Sequence, residues 1–312
     1  MNAKIEIKTE CSGLLSHPDK VSVKRGSVYE QITDRIIALL EKGTVPWQKP
    51  WKVATGLPRN LVSKKPYRGI NTLLLHSMSY ESPFWLTFHQ AQQLGGMVRK
   101  GERACPVVFG KRVKEQDEQT GEETAYTVLR LYNVFNTAQI DGMKNIPAPV
   151  ETPATVNITA EDIVALMPQR PEIKYGMSKA YYSPSADIIA MPDRARFDNE
   201  AHFFSTIYHE MVHATGAKSR LNRPTLTESA GFGSNPYCKE ELIAEMGAAF
   251  LCGQAGIENT IENSAAYVQN WLEQLQNDKT LIVHAAAQAQ KAADWILGTK
   301  FGETPASEPV PG

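Results

Sequence analysis

The sequence has no run of 18 apolar residues, which excludes a membrane-spanning helix. Its opening stretch, MNAKIEIKTE, lacks the apolar segment of a secretory signal. Its four cysteines (Cys11, Cys105, Cys238 and Cys252) form no CxxC pair, so neither a disulfide framework nor a cysteine-based zinc site is expected. These absences lead us to expect a soluble, cytoplasmic protein without membrane attachment. Acid is also missing locally: from Lys42 to Tyr80 there are seven basic residues and no Asp or Glu. No acidic cluster accompanies this basic half, which argues against nucleotide polymerisation, a reaction that needs carboxylates to hold its metal ions.

What is present points to two domains. The chain has 312 residues, 42% of them hydrophobic, more than one core usually serves. Residues 1–145 carry 21 Lys and Arg against 14 Asp and Glu, a net charge of +7, while residues 146–312 carry 12 against 20, a net of -8. Halves of opposite charge suggest different partners, the first of them anionic.

The expected organisation is α+β. Residues 1–25 read as a flexible tail. A capping box at Ser27-Val28-Tyr29-Glu30 opens a helix, with Ile32, Ile36, Leu39 and Leu40 at helical spacing and Gly43 as its stop. A second box, Thr87-Phe88-His89-Gln90, opens a short helix closed by Gly95-Gly96. β-rich runs at 104–113 and 124–135 flank a polar turn and predict a hairpin. Residues 26–141 thus form one α+β domain. Three prolines mark 142–158 as a linker. The second domain, 159–301, reads as mainly helical: a hairpin at 181–191, a helix capped by Asp198 and ending near Gly216, and helical patterns at 239–254, 260–276 and 279–297. Residues 302–312 read as a disordered tail.

The sharpest chemical motif is His209-Glu210-Met211-Val212-His213. Histidines four apart on a helix project from one face and can reach one cation, while the intervening glutamate can take a proton from metal-bound water. A zinc ion lowers the pKa of that water to about 7. This is the pattern of a zinc metallopeptidase, and Zn2+, or another divalent ion such as Mn2+, is the expected cofactor. A catalytic zinc usually has three protein ligands. Position 219 is serine, so a histidine six residues beyond the second is absent. The segment Lys239–Phe250 offers Glu241 and Glu245 at i, i+4 among small and apolar residues. We assign Glu241 as third ligand and Glu245 as the carboxylate orienting a ligand histidine; the reverse stays open. Glu240 fits an exposed helical edge better. Tyr181, Tyr182, Tyr208 and Tyr237 are candidates for stabilising an oxyanion.

In the basic half, Lys49, Lys52, Arg59, Lys64, Lys65 and Arg68 are interleaved with Trp47 and Trp51, and Arg99 and Lys100 form a second cluster. Cations that track phosphates beside rings that stack bases make a single-stranded DNA groove; a solvated surface over core tryptophans is the competing reading.

Several segments together resemble the ArdC-type antirestriction proteins of conjugative plasmids. They are VPWQKPW, YRGINTLLL, FWLTFHQAQQLGGMVRKGE, YNVFNTAQIDG, YHEMVHATGAKSRLNR and GFGSNPYCKEELIAEMGAAFL. The resemblance implies an N-terminal single-stranded-DNA-binding domain, similar to one in some plasmid primases, and a C-terminal zincin domain akin to the SprT/Spartan and ImmA/IrrE peptidases. It implies that His209 and His213 are metal ligands, that Glu210 is catalytic, and that EELIAE supplies the third ligand, in the gluzincin manner. The implied function is protection of incoming plasmid DNA from host restriction, with a protein substrate that no residue identifies. The alternative is a non-catalytic shielding protein whose metal site is structural or vestigial.

Overall fold

The computed structural model describes residues 26–48, 57–116, 123–143, 159–227, 235–257 and 265–299. The tails expected at 1–25 and 302–312, and all but the first two residues of the linker expected at 142–158, lie outside these.

Helix α1 (Val28–Glu41) begins on the expected capping box of Ser27 and Glu30. It ends at Gly43, whose φ of +73° lets the amides of Gly43 and Thr44 bond back to the carbonyls of Leu40 and Leu39, each at 2.9 Å. The next elements are β1 (Arg59–Asn60), α2 (Ile70–Ser77), β2 (Phe84–Thr87), α3 (Phe88–Gln93), β3 (Met97–Val98), β4 (Cys105–Gln116), β5 (Glu123–Asn136) and β6 (Ile140–Asp141). Thr87 and Gln90 cap α3 as expected. The expected hairpin is β4–β5, antiparallel from Cys105↔Val134 to Gln116↔Glu123. It forms part of a sheet ordered β1-β2-β5-β4, while β3 pairs with β6. Helix α2 was not anticipated: six of its eight residues are buried and no side chain caps it, so neither periodicity nor a cap marks it.

The two faces of the sheet serve different cores. Trp85 and Val134 face the main core of the molecule. Their neighbours Leu86 and Phe135, paired in register, face the other way, where Leu86 joins Leu61, Phe84, Ala91 and Ile140 in a small second core against which Phe135 packs.

The second half comprises α4 (Ala160–Leu166), β7 (Glu172–Lys174), β8 (Tyr181–Ser183), β9 (Ile188–Ala190), α5 (Glu200–Thr215), α6 (Pro224–Thr227), α7 (Asn235–Ala255), α8 (Ala265–Asn277) and α9 (Leu281–Ile296). The expected hairpin is β8–β9, and β7 adds to it in parallel to give the order β7-β9-β8. Asn199, not Asp198, caps α5: its side chain accepts the amide of His202 at 2.8 Å, while the Asp198 carboxylate lies 3.5 Å from the His202 ring. Close approach of α5 and α7 depends on Gly247, since a Cβ there would lie 2.7 Å from Val212 Cγ2. No described helix is long and apolar enough to cross a membrane.

The two domains share a core. One continuous apolar cluster joins Ile32, Ile36 and Trp47 to Trp271, Ala289 and Ile296. Polar contacts reinforce the seam: Thr33 Oγ1 donates to the Lys279 carbonyl at 2.5 Å, and the Gly69 amide donates to Gln290 at 2.9 Å. Arg68 pairs with the buried Asp294.

Candidate metal centre

Helix α5 is apolar on the face that packs into the core, where Phe203, Phe204, Ile207, Met211 and Val212 are buried. That packing fixes the helix and holds His209 and His213, one turn apart, at its edge against α7. The two Nε2 atoms are 3.1 Å apart. From α7, Glu241 brings Oε2 to 3.5 Å from His209 Nε2 and Oε1 to 3.6 Å from His213 Nε2. Among the described residues, these three side chains form the one group able to hold a metal ion. Bonds of about 2.0–2.1 Å at a tetrahedral angle separate donor atoms by roughly 3.4 Å, so the spacing suits a zinc-sized cation. Two neutral imidazoles and a carboxylate are a fitting donor set.

Electrostatics bind the trio together. Burial alone would lower the pKa of His209, but the hydrogen bond to Glu241 and the charges of Glu210 and Glu245 raise it to about 9. Burial works against the charge on Glu241, and the two histidines outweigh it, holding its carboxyl below the ordinary range. A site this rich in negative charge attracts a cation, proton or metal.

The carboxylate that orients His213 is Glu240. Its Oε1 lies 3.3 Å from His213 Nδ1. Glu240 is 3% exposed, so the exposed edge expected for it is not there. Arg223, itself 2% exposed, donates to both Glu240 oxygens at 2.5 and 3.1 Å, and the Thr225 hydroxyl donates to Oε2 at 2.5 Å. Burial disfavours the Glu240 charge, yet Arg223 and His213 keep its carboxyl far below the usual range. Glu240 thus stands beside the outer nitrogen of His213, a contact the sequence reading did not assign. Glu245, one turn further along α7 and buried, contributes its charge to the field on His209. The sequence held no local signal for this arrangement, because Arg223 stands in a polar stretch between the exposed Asn222 and Pro224.

A cleft of about 670 Å³ opens beside the trio, lined by Glu210, Tyr181, Tyr182 and Tyr237 among others. The four tyrosines separate here. Tyr208 is fully buried and donates to the Ala160 carbonyl at 2.9 Å, a packing role. Tyr182 donates to Asp187 at 2.7 Å and accepts from Arg220 at 3.0 Å. Tyr181 is 48% exposed at the rim. Tyr237 stands one turn before Glu241 on α7 and is hydrogen-bonded to both Glu241 and Tyr267.

The expected DNA-binding residues are less unified. Trp47 is wholly buried against Trp271, so it cannot stack on a base. Lys49, Trp51 and Lys52 lie outside the described residues. Arg68 is paired with Asp294, and Arg99 is bridged to Glu102 and Asp141. Lys64 and Lys100 are exposed, whereas Arg59 and Lys65 are half-buried.

Comparison with known proteins matches both halves. The N-terminal domain of the anti-restriction factor ArdC matches residues 26–135, and a zincin-like metallopeptidase family matches residues 159–288. The metal-free crystal structure of the antirestriction ArdC protein from the R388 plasmid superposes with a TM-score of 0.69 at 39% identity, covering 86% of this chain and 96% of that one. The Mn(II)-bound structure of the same protein gives 0.70 at 36% identity, covering 89% and 100%. An uncharacterised protein, y4eC, of Sinorhizobium fredii is 37% identical, covering 86% of this chain and 91% of its own length. The DNA primase TraC of Escherichia coli is 36% identical over 86% of this chain, which spans only 27% of that primase.

Proposed function

The chain belongs to the ArdC family of antirestriction proteins, and from that premise we propose that it is a metal-dependent peptidase recruited to single-stranded DNA, protecting incoming plasmid DNA from host restriction. The observation that carries the peptidase half is the convergence of His209, His213 and Glu241 beside Glu210 in an open cleft. His209, His213 and Glu241 would hold the ion, and a related ArdC protein has been crystallised with Mn(II). When bound, the ion polarises a carbonyl and makes water acidic at neutral pH. Glu210 takes the proton of the attacking water and passes it to the leaving amine. Tyr237, whose hydroxyl stays protonated in the physiological range, would donate to the oxygen on which charge develops by turning its one proton from Glu241. Glu240, locked by Arg223 and Thr225, keeps His213 in the tautomer with Nε2 free to ligate.

A structural metal site has no use for a carboxylic base in an open cleft, so the position of Glu210 favours catalysis over shielding alone. The test is transfer of unmodified plasmid into a restricting host that makes the full-length protein or its Glu210→Gln variant. Loss of protection with Glu210→Gln, at equal protein level and metal content, supports the enzyme; full protection by the variant supports the shielding reading.

A further inference from the structure

The burial of Trp47 removes one of the two tryptophans expected to stack on bases, and a second aromatic surface offers a ring among the described residues. Phe88 is 48% exposed on α3, the most exposed phenylalanine described. Its ring stands edge-on to that of Phe135, with centroids 6.4 Å apart. Phe135 packs on the small second core, on the side of the sheet opposite Trp85 and Val134 and away from the core shared with the second domain. Val62, 51% exposed, lies in the turn that follows β1.

A cation is built into this surface. Lys64 adopts a left-handed φ of +61°, and its ammonium lies 5.6 Å from the centre of the Phe84 ring, beneath which the second core begins. The tight turn holding it is braced from inside: Asn60 Oδ1 accepts the amides of Val62 and Ser63 at 3.0 and 2.9 Å. The same Asn60 donates to Gln90 at 3.0 Å, and Gln90 caps α3 through Thr87. The turn bearing Lys64 and the helix bearing Phe88 are thereby locked to one another. An exposed ring and a held cation on two elements locked to one another, the cation within a stretch that carries no acid from Lys42 to Tyr80, complement a strand of stacked bases and phosphates.

We infer that the surface formed by Phe88 of α3 and Phe135 of β5, with Lys64 on the adjoining turn, is where single-stranded DNA lies, Phe88 stacking on a base and Lys64 meeting phosphate. This rests on the single-stranded-DNA reading proposed above and names its site.

The experiment measures binding of a fluorescent oligothymidylate of about 20 nucleotides, long enough for one domain's groove, to the full-length protein by anisotropy over a range of salt. Phe88→Ala is expected to weaken binding by roughly 5- to 150-fold, the equivalent of losing one stacked base, with the melting temperature unchanged because the ring is half exposed. Phe88→Tyr is expected to restore most of the affinity. Lys64→Ala is expected to weaken binding and reduce the salt slope by about 0.7. Tyr175→Ala, a similarly exposed ring in the other half, serves as the control and should bind as wild type. If the wild-type protein binds and Phe88→Ala binds equally well, this site is wrong while the DNA reading stands. If the wild type shows no salt-sensitive binding, the reading itself fails and the site with it. If Phe88→Ala changes the sedimenting mass and not DNA binding, the face is a contact between copies, and the inference is overturned.

Discussion

Trp47, from the basic N-terminal half, and Trp271, on α8 of the zincin-like half, meet edge to face with ring centroids 5.3 Å apart, both essentially inaccessible to solvent. Two tryptophans from opposite ends of the sequence thus fill one core, and the halves that differ in charge and chemistry are joined by packing. The arrangement places the candidate peptidase and nucleic-acid faces on one body.

Trp47→Ala should therefore act on stability. Truncating a buried tryptophan costs about 3–5 kcal/mol, so urea unfolding of the full-length variant should shift by that amount. Phe88→Ala should leave the unfolding curve in place. A Trp47→Ala protein of unchanged stability would contradict the shared core.

A fragment ending at residue 143 should fail to fold cooperatively. It would expose Ile32, Ile36 and Trp47, and strip Gly69 and Arg68 of their partners on α9. A sharp thermal transition with dispersed amide resonances in that fragment would show the first domain to be autonomous.

The cations of the first half should contribute unequally to DNA affinity. Arg68 is already neutralised by Asp294, whereas Lys64 lies over the Phe84 ring with no carboxylate paired to it among the described residues. Lys64→Ala should lower the salt dependence of binding more than Arg68→Ala does. An equal or reversed effect would mean that DNA displaces the Asp294 contact.

The buried Glu240–Arg223 pair should support both fold and metal. Removing one member strands the other charge out of water, at a cost of about 3–5 kcal/mol. Glu240→Gln keeps the shape and should be milder for stability, while still lowering metal affinity by roughly 10- to 100-fold through the loosened His213 ring. Unchanged metal affinity in Glu240→Gln, measured by competition with a chromogenic chelator, would deny the orienting role.

Residues with a local signature were legible in the sequence. Ser27 with Glu30, and Thr87 with Gln90, announce helix starts through chemistry confined to four positions. His209 and His213 declare a shared helical face by spacing alone, with Glu210 beside the first, and Glu241 follows from a carboxylate embedded among small apolar residues. Contacts set by tertiary packing were not legible. Glu240 and Glu241 are adjacent and chemically identical, and only the approach of Arg223 and Thr225 decides which one turns to the outer nitrogen of His213. Trp47 lies in the core and not on a stacking surface for the same reason: aromatic residues suit both equally, and nothing local records that Trp271 waits for Trp47.

The central claim is that His209, His213 and Glu241 hold one divalent ion while Glu210 stays out of its coordination. The most direct measurement is the metal content of purified full-length protein by elemental analysis after incubation with Zn2+ or Mn2+ and desalting, for wild type and for each single variant. About one ion per chain is expected in wild type and in Glu210→Gln, a near-complete loss in His209→Ala and His213→Ala, and a larger loss in Glu241→Ala than in Glu245→Ala. A wild-type protein that takes up no metal, or a Glu245→Ala variant that loses it while Glu241→Ala keeps it, would contradict the account.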